Sequence, residues 1–528
     1  MSSADRGVQP SSSGSSDVGR MARGGGLNLM GAVVGQAALL GVITLIGHTL
    51  GTAAVGRYSV LYAMLTLLSL LSLAGFRAGL TRFVAIFLAD DDSSRVRGTI
   101  RLGVGVTIGA SLVISTALAL FAPTVAHLYD NPALESGIRW IALALPAASF
   151  ADAALAATQG WRSQREFALI GRIGDPLGLL AFTALFISLG WGVDGAIIAL
   201  PASAWATAIV AAFALARRVR RVPAARAIMP ARRIFSFSMV SWGSALAQTG
   251  LVWAGTLVLG AMASEEDVGV FSIAARLVSL AVFVMAPIIN SFSPHVAHLH
   301  HREDREGVSD AYGSATRWIV QLSAPAFVLL LLIPGPLLRA LGESTGRGAW
   351  VVVILALGQM VSAAAGPCGV VLNMSGRVGL SLIDNVGVLA LNLALNVALI
   401  PKWGIIGAAI AWSTALIVGN LVKVAQVRYI LGVTARRPAL IRTLGIGAVA
   451  FAVGWAATHI ESPWWGTILL VGSAVGLTYL VLLLWIGLDP QDRAIGRALR
   501  RRIPRPSGRS QGSETPSSKD DEADITQD

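Results

Sequence analysis

From residue 27 to residue 487 the chain is a near-continuous succession of apolar stretches of about 20 residues. Each is long enough to cross roughly 30 Å of hydrocarbon as an α-helix. A backbone in lipid must satisfy its own N–H and C=O groups, so such a succession restricts the chain to a bundle of spanning helices. Composition agrees, with 54% hydrophobic and 13% charged residues, against about 25% charged in soluble domains. A water-soluble enzyme is excluded. The stretches lie near 27–47, 58–77, 101–122, 138–158, 171–190, 194–216, 235–258, 268–290, 316–338, 349–371, 379–400, 405–427, 439–459 and 465–487. The predicted fold class is an all-α polytopic membrane protein of about fourteen transmembrane helices.

Arginine orients the spans. Loops after even-numbered spans carry twenty-four Lys and Arg, among them Arg77, Arg82, Arg162 and the run Arg217 to Arg233, whereas loops after odd-numbered spans carry five. The positive-inside rule puts the first set, and both termini, on the cytoplasmic side of the cytoplasmic membrane. The same rule accounts for the net charge of +12 without any nucleic-acid partner. Residues 1–25, rich in Ser and Gly, and residues 489–528 read as disordered cytoplasmic tails. The first lacks the apolar core of a signal peptide. The lone cysteine, Cys368, supports neither a disulfide nor a metal cluster. The absence of a phosphate-binding Gly-Lys-Ser/Thr motif argues against direct ATP drive. No cofactor is expected.

The chain repeats itself. Val55-Gly56-Arg57-Tyr58-Ser59 returns as Val268-Gly269-Val270-Phe271-Ser272, an offset of 213. Trp191-Gly192-Val193-Asp194-Gly195-Ala196 returns as Trp403-Gly404-Ile405-Ile406-Gly407-Ala408, an offset of 212. The pairs open spans 2 and 8, and separate spans 5 and 6 and spans 11 and 12. The organisation is therefore a six-helix bundle over 26–216, a basic linker over 217–233, a second six-helix bundle over 234–430, and two extra helices over 431–488. Duplicated bundles are a transporter signature, with the binding site near the midplane between the halves.

At these residues the sequence resembles polysaccharide (O-antigen type) flippases of the multidrug/oligosaccharidyl-lipid/polysaccharide exporter superfamily. The glycine-aromatic-serine entrance to spans 2 and 8 is similar, as are Gly79-Leu80-Thr81-Arg82-Phe83, Gly366-Pro367 followed by Leu372-Asn373-Met374-Ser375-Gly376, and Asn392 to Asn396 leading into Leu399-Ile400-Pro401. The resemblance implies two bundles around a central cavity that moves lipid-linked oligosaccharide from the inner to the outer leaflet, with the last two helices forming a groove for the lipid tail. It also implies polysaccharide assembly proteins as partners.

Ionisable groups at membrane depth usually face a cavity or a partner. Arg276, two turns into span 8 among apolar neighbours, is a phosphate-ligand candidate, because guanidinium matches phosphate oxygens bidentately. The structural alternative is an Arg that pairs an acid or snorkels to the interface. Arg82 and Arg162, at the cytoplasmic mouth, are placed to meet an anionic headgroup and are equally what a positive-inside loop supplies. Asp152, Asp175 and Asp384 are candidates for coupling to H+ or Na+; for the last two, pairing with Arg172 and Arg377 is the plainer reading. Asp152 is the better candidate because its own span carries no base. Gln36, Gln248, Asn290 and Gln359 are candidate sugar contacts, with interhelical hydrogen bonds the equally economical alternative. His295, His298, His300 and His301 lack the carboxylates or cysteine that would complete a metal site.

The leading expectation is an alternating-access flippase for polyprenyl-phosphate or pyrophosphate glycans. A peptidoglycan-precursor flippase and a multidrug exporter remain as alternatives within the superfamily. A membrane glycosyltransferase or polymerase is disfavoured, since no outer loop is large enough for a catalytic domain.

Overall fold

The computed structural model describes residues 13–229, 231–283, 285–343, 346–434 and 438–487, with side chains for all of these except 13–25, 290, 438–440 and 487. Among the described residues there is helix and no strand. The helices are α1 (Ser13–Leu50), α2 (Thr52–Ser72), α3 (Phe76–Ala89), α4 (Ser93–Leu120), α5 (Ala122–Leu128), α6 (Leu134–Gln159), α7 (Asp175–Ser188, preceded by a π-helical turn over Phe167–Gly174) and α8 (Gly192–Val219). Then come α9 (Ala231–Met262), α10 (Glu265–Val282), α11 (Met285–His301), α12 (Arg305–Leu332), α13 (Pro334–Ala340), α14 (Ala349–Ala365), α15 (Cys368–Met374), α16 (Val378–Leu431), α17 (Pro438–Thr458) and α18 (Trp464–Leu482). α1 begins at Ser13, inside the segment expected to be a disordered tail. The rest of both expected tails, 1–12 and 489–528, lies outside the described residues, as does residue 488.

Eleven of the described helices are long and apolar enough to cross a membrane, or thirteen if each of the bent pairs α10–α11 and α14–α15 is one span. The fourteen expected are not reached by this measure. The difference is α16, whose 54 residues contain a kink at Gly404, where φ is 53° and ψ −129°. Gly192, the repeat counterpart of Gly404, has nearly the same left-handed φ, 55°, at the turn between α7 and α8. A conformation that L side chains avoid is thus used at the same place in both repeats. The expected Gly366-Pro367 break separates α14 from α15 with a 44° bend.

Local chemistry sets several boundaries. Ser264 caps α10 by accepting from the Asp267 N–H at 3.2 Å, and Glu265, Glu266 and Asp267 fill its first turn, where negative charge complements the helix dipole. Asp92 and Asp304 cap α4 and α12 in the same way. The basic linker is bound down, since Arg97 donates to the carbonyls of Pro223 and Val222 at 3.0 and 2.7 Å. The helices up to α8 pack chiefly on one another, as do those from α9 to α16, and the two sets meet where α2 and α3 touch α9 and α10. α17 and α18 lie against α12 around a separate apolar cluster that includes Val328, Ala450, Val471 and Val475. There the Tyr479 hydroxyl donates to the Gln321 carbonyl at 2.8 Å.

Candidate functional site

The two repeats meet at their matching glycines. A Cβ on Gly56 would lie 1.9 Å from the Glu265 carbonyl oxygen, and one on Gly269 would lie 1.9 Å from that of Thr52. Only glycine lets α2 and α10 cross this closely, the role small residues take in helix packing. Next to the crossing, Arg57 donates through Nε and Nη2 to the two carboxylate oxygens of Glu265 at 2.8 and 3.0 Å, and Asn131 donates to the same carboxylate. Arg347 reaches Asp267 at 2.6 Å. His48 approaches the Ala340 carbonyl at 3.2 Å, anchoring the end of α1. This end of the interface between the halves is sealed.

Deeper along the same helices lies a cavity of about 110 Å³. Leu39 and Ile43 of α1, Tyr58, Ser59 and Tyr62 of α2, Trp253 and Thr256 of α9, and Ser272, Arg276 and Ser279 of α10 line it. Both serines that end the repeated five residues, Ser59 and Ser272, therefore face one space. At this size the cavity fits a headgroup fragment, not an oligosaccharide, since pockets that enclose whole small ligands run to about 300–1,000 Å³.

The Ser279 hydroxyl donates to the Arg276 carbonyl at 2.7 Å, but other polar groups of the lining lack partners. Arg276 is half-buried, and among the described residues its guanidinium has no hydrogen bond or ion pair. The Tyr58 hydroxyl and the Ser272 hydroxyl are buried without a hydrogen-bond partner. Buried polar groups almost always have partners; the two orphan hydroxyls belong to residues that line one cavity with the half-buried Arg276, a donor set whose chemistry suits an anionic, hydrogen-bonding group. Aromatic rings form the neutral wall: Tyr62 meets Trp253 edge-on at 5.6 Å and stacks on Tyr58 at 6.0 Å.

Of the residues predicted from sequence, Arg276 lines this cavity. Gln36 is half-buried on α1, one and two turns before Leu39 and Ile43 on the same helix face. Arg82 and Arg162 do not line it. Arg82 is exposed with its guanidinium 4.3 Å from the centre of the Phe237 ring, and Arg162 occupies an exposed turn at φ 54°. Gln248 belongs to a second cavity, of about 340 Å³, together with Ser241, Ser244 and Asn373. Gln359 lies half-buried on α14, and the Asn290 side chain is outside the described ones.

The carboxylates are partnered differently from expectation. Asp152 is not isolated: Arg77, from α3, comes within 4.0 Å of it. Asp175 is held not by Arg172 but by the hydroxyls of Thr207 at 2.9 Å and Ser203 at 3.3 Å, one helical turn apart on α8. Asp384 accepts from the Gln426 amide at 2.8 Å, and its second oxygen is buried without a partner. Nearby, Lys423 donates to Asn385 at 2.8 Å, and Asn385 donates to Ser244 at 2.9 Å.

Sequence reading missed Tyr62 and Trp253. Their signal was the spacing of Tyr58 and Tyr62 by one turn on the helix that opens with the repeat, which reads as ordinary core packing until Arg276 is placed opposite.

Residues 21–300, more than half of the chain, match the family model described as polysaccharide biosynthesis protein. The chain belongs to that family. As a polysaccharide biosynthesis protein it is 28% identical over 199 residues to the "Probable flippase AglR" of Haloferax volcanii, a match covering 36% of this chain and 41% of the relative. It is 23% identical over 192 residues to the "Probable low-salt glycan biosynthesis flippase Agl15" of the same organism, with the same coverage of each. The chain thus spans about two fifths of the length of these curated relatives. Among solved structures, its fold resembles a lipid II flippase MurJ in an inward closed conformation, with a TM-score of 0.64 and 14% identity over 90% of this chain and 100% of that one. It also resembles an inward-facing multidrug resistance MATE transporter, with a TM-score of 0.59 and 16% identity over 75% and 94%. The polysaccharide biosynthesis protein is a multi-pass membrane protein with the helical fold of these multi-span transporters.

Proposed function

We propose that the chain is a flippase that carries a polyprenyl-linked glycan across the cytoplasmic membrane for cell-surface polysaccharide or glycan assembly, and that it is not an enzyme. The observation that carries this reading is the cavity between the two halves, lined by Arg276, whose guanidinium has no partner among the described residues, and by Tyr58 and Ser272, whose hydroxyls are buried without partners. A phosphate supplies acceptor oxygens to all three, and guanidinium holds it by charge-assisted hydrogen bonds. Both AglR and Agl15 are named as flippases, and the glycan biosynthesis in the name of Agl15 supports the substrate class; the MurJ likeness, at 14% identity, supports the fold alone.

Transport proceeds by alternating access. The arginine distribution assigns the Arg82 and Arg162 end, and both termini, to the cytoplasm. The end sealed by Gly56–Gly269 and Arg57–Glu265 is then the outer one. Substrate enters from the inner leaflet with its lipid tail still in the bilayer, and release requires the outer crossing to part. Arg82 and Arg162 attract the headgroup at the mouth, and Gln36 contacts the sugar. Asp175, which has two hydroxyl partners and, among the described residues, no cation, is assigned proton coupling ahead of Asp152, which Arg77 approaches; each charge moved is worth about 2.3 kcal/mol per 100 mV.

The test is flipping of a fluorescent-sugar polyprenyl phosphate in proteoliposomes. Outward transfer by the unmodified chain, lost in Arg276→Ala and partly kept in Arg276→Lys, is the expected result. Transfer unchanged in Arg276→Ala would keep the flippase and remove the assigned site.

A further inference from the structure

The cavity's charge inventory bears on which lipid phosphate it accepts. Among the described lining residues Arg276 is the sole charged side chain. Arg57, which precedes the lining Tyr58 in sequence, is already bound through both Nε and Nη2 by Glu265. The remaining wall is aromatic and aliphatic, with the hydroxyls of Tyr58 and Ser272 as neutral donors. The site therefore offers one positive charge and a small number of neutral hydrogen bonds.

A glycan joined to a polyprenol through one phosphate is a phosphodiester with a single negative charge. The same glycan joined through pyrophosphate has two. One guanidinium neutralises the first and leaves the second with an uncompensated charge, and removing such a charge from water is costly unless it is paired. Nor is there a second lining cation to hold the second phosphoryl group. Resting on the flippase reading above, we propose that this chain selects monophosphate-linked glycans over pyrophosphate-linked ones, and that the single cation at Arg276 sets the preference.

The test compares two probes in proteoliposomes of the full chain: one fluorescent monosaccharide carried on polyprenyl monophosphate or on polyprenyl pyrophosphate. The expected result is an initial rate at least about tenfold higher for the monophosphate. In Ser279→Lys, which adds a cation one helical turn from Arg276 on the cavity wall, the preference falls to within about threefold or reverses. Equal rates in the unmodified chain, or a faster pyrophosphate probe, overturn the inference while leaving the flippase reading intact. Movement of neither probe overturns both. A folded Ser279→Lys chain with an unchanged preference also overturns the inference, because charge at the site would then not set it. The comparison in the unmodified chain stands even if that variant fails to fold.

Discussion

Arg57 grips Glu265 with two hydrogen bonds immediately beside the point where Gly56 and Gly269 let their helices cross. Residue 57 belongs to the first repeat and residue 265 to the helix that carries its counterpart, so the pair ties the two sets of helices together. Both side chains are about one quarter exposed, 25% and 24%. The contribution of such a pair is modest, about 1 kcal/mol or less. That is enough to bias two states without locking either.

Arg57→Ala and Glu265→Gln are each expected to shift the population toward a conformation open at this end. The exchange Arg57→Glu with Glu265→Arg should recover part of the closed population. Distances between spin labels on the α1–α2 turn and on α13 read this directly. A distribution unchanged in both single variants would mean that the glycine crossing alone holds the end shut.

Gly56→Ala and Gly269→Ala each drive a methyl into a carbonyl oxygen, and an overpacked contact costs about 1–3 kcal/mol. The expected outcome is lower thermal stability in detergent and loss of transport. Gly105→Ala is the control. Gly105 and Gly109 form a small-xxx-small pair in sequence, yet neither has anything within 4 Å of a built Cβ. Stability there should change by less than about 0.5 kcal/mol.

Tyr58→Phe separates binding from folding. It deletes a buried hydroxyl that has no partner in the free protein, so stability should hold or rise by up to about 1 kcal/mol. Substrate affinity should fall about two- to tenfold, the worth of one hydrogen bond. Thermal unfolding and substrate titration on one preparation test the opposite signs.

Glu166 predicts a pH dependence. Burial alone would raise its carboxyl, but the Ser163 hydroxyl and Arg218 together outweigh this and hold it below the usual carboxylate range. A lowered folded-state value stabilises the protein above the unfolded value, about 4.3, and the stabilisation disappears as pH falls through the folded value. Glu166→Gln should therefore lower the melting temperature at pH 7, and the gap from the unmodified chain should narrow only as pH falls below about 4.3. A gap independent of pH would indicate a packing effect.

Several features of the architecture are legible in the sequence because they depend on order along the chain. Apolar run length specifies spanning helices, and the 213-residue echo of Gly56 in Gly269 marks the crossing where the halves touch. The left-handed hinges at Gly192 and Gly404 likewise fall where the second repeat match occurs. Arg276 stands out because a guanidinium two turns into an apolar stretch has no local explanation.

Partners across helices are a different matter, because they depend on how each helix is rotated about its axis and how closely its neighbour approaches. Span 4 carries no base near Asp152, yet Arg77 arrives from α3. Asp175 follows Arg172 by three residues but turns instead to Thr207 and Ser203 on α8. Arg82 and Arg162 share a membrane face with the cavity's inner mouth in sequence, but packing leaves them away from its wall. The sequence alone determined that this is a duplicated bundle of spanning helices with a deep arginine. Only tertiary structure decided that Tyr58, Tyr62, Trp253 and Ser272 line one cavity with that arginine and that, among the described residues, no carboxylate does, because side chains from four helices meet there through packing that no spacing along the chain encodes.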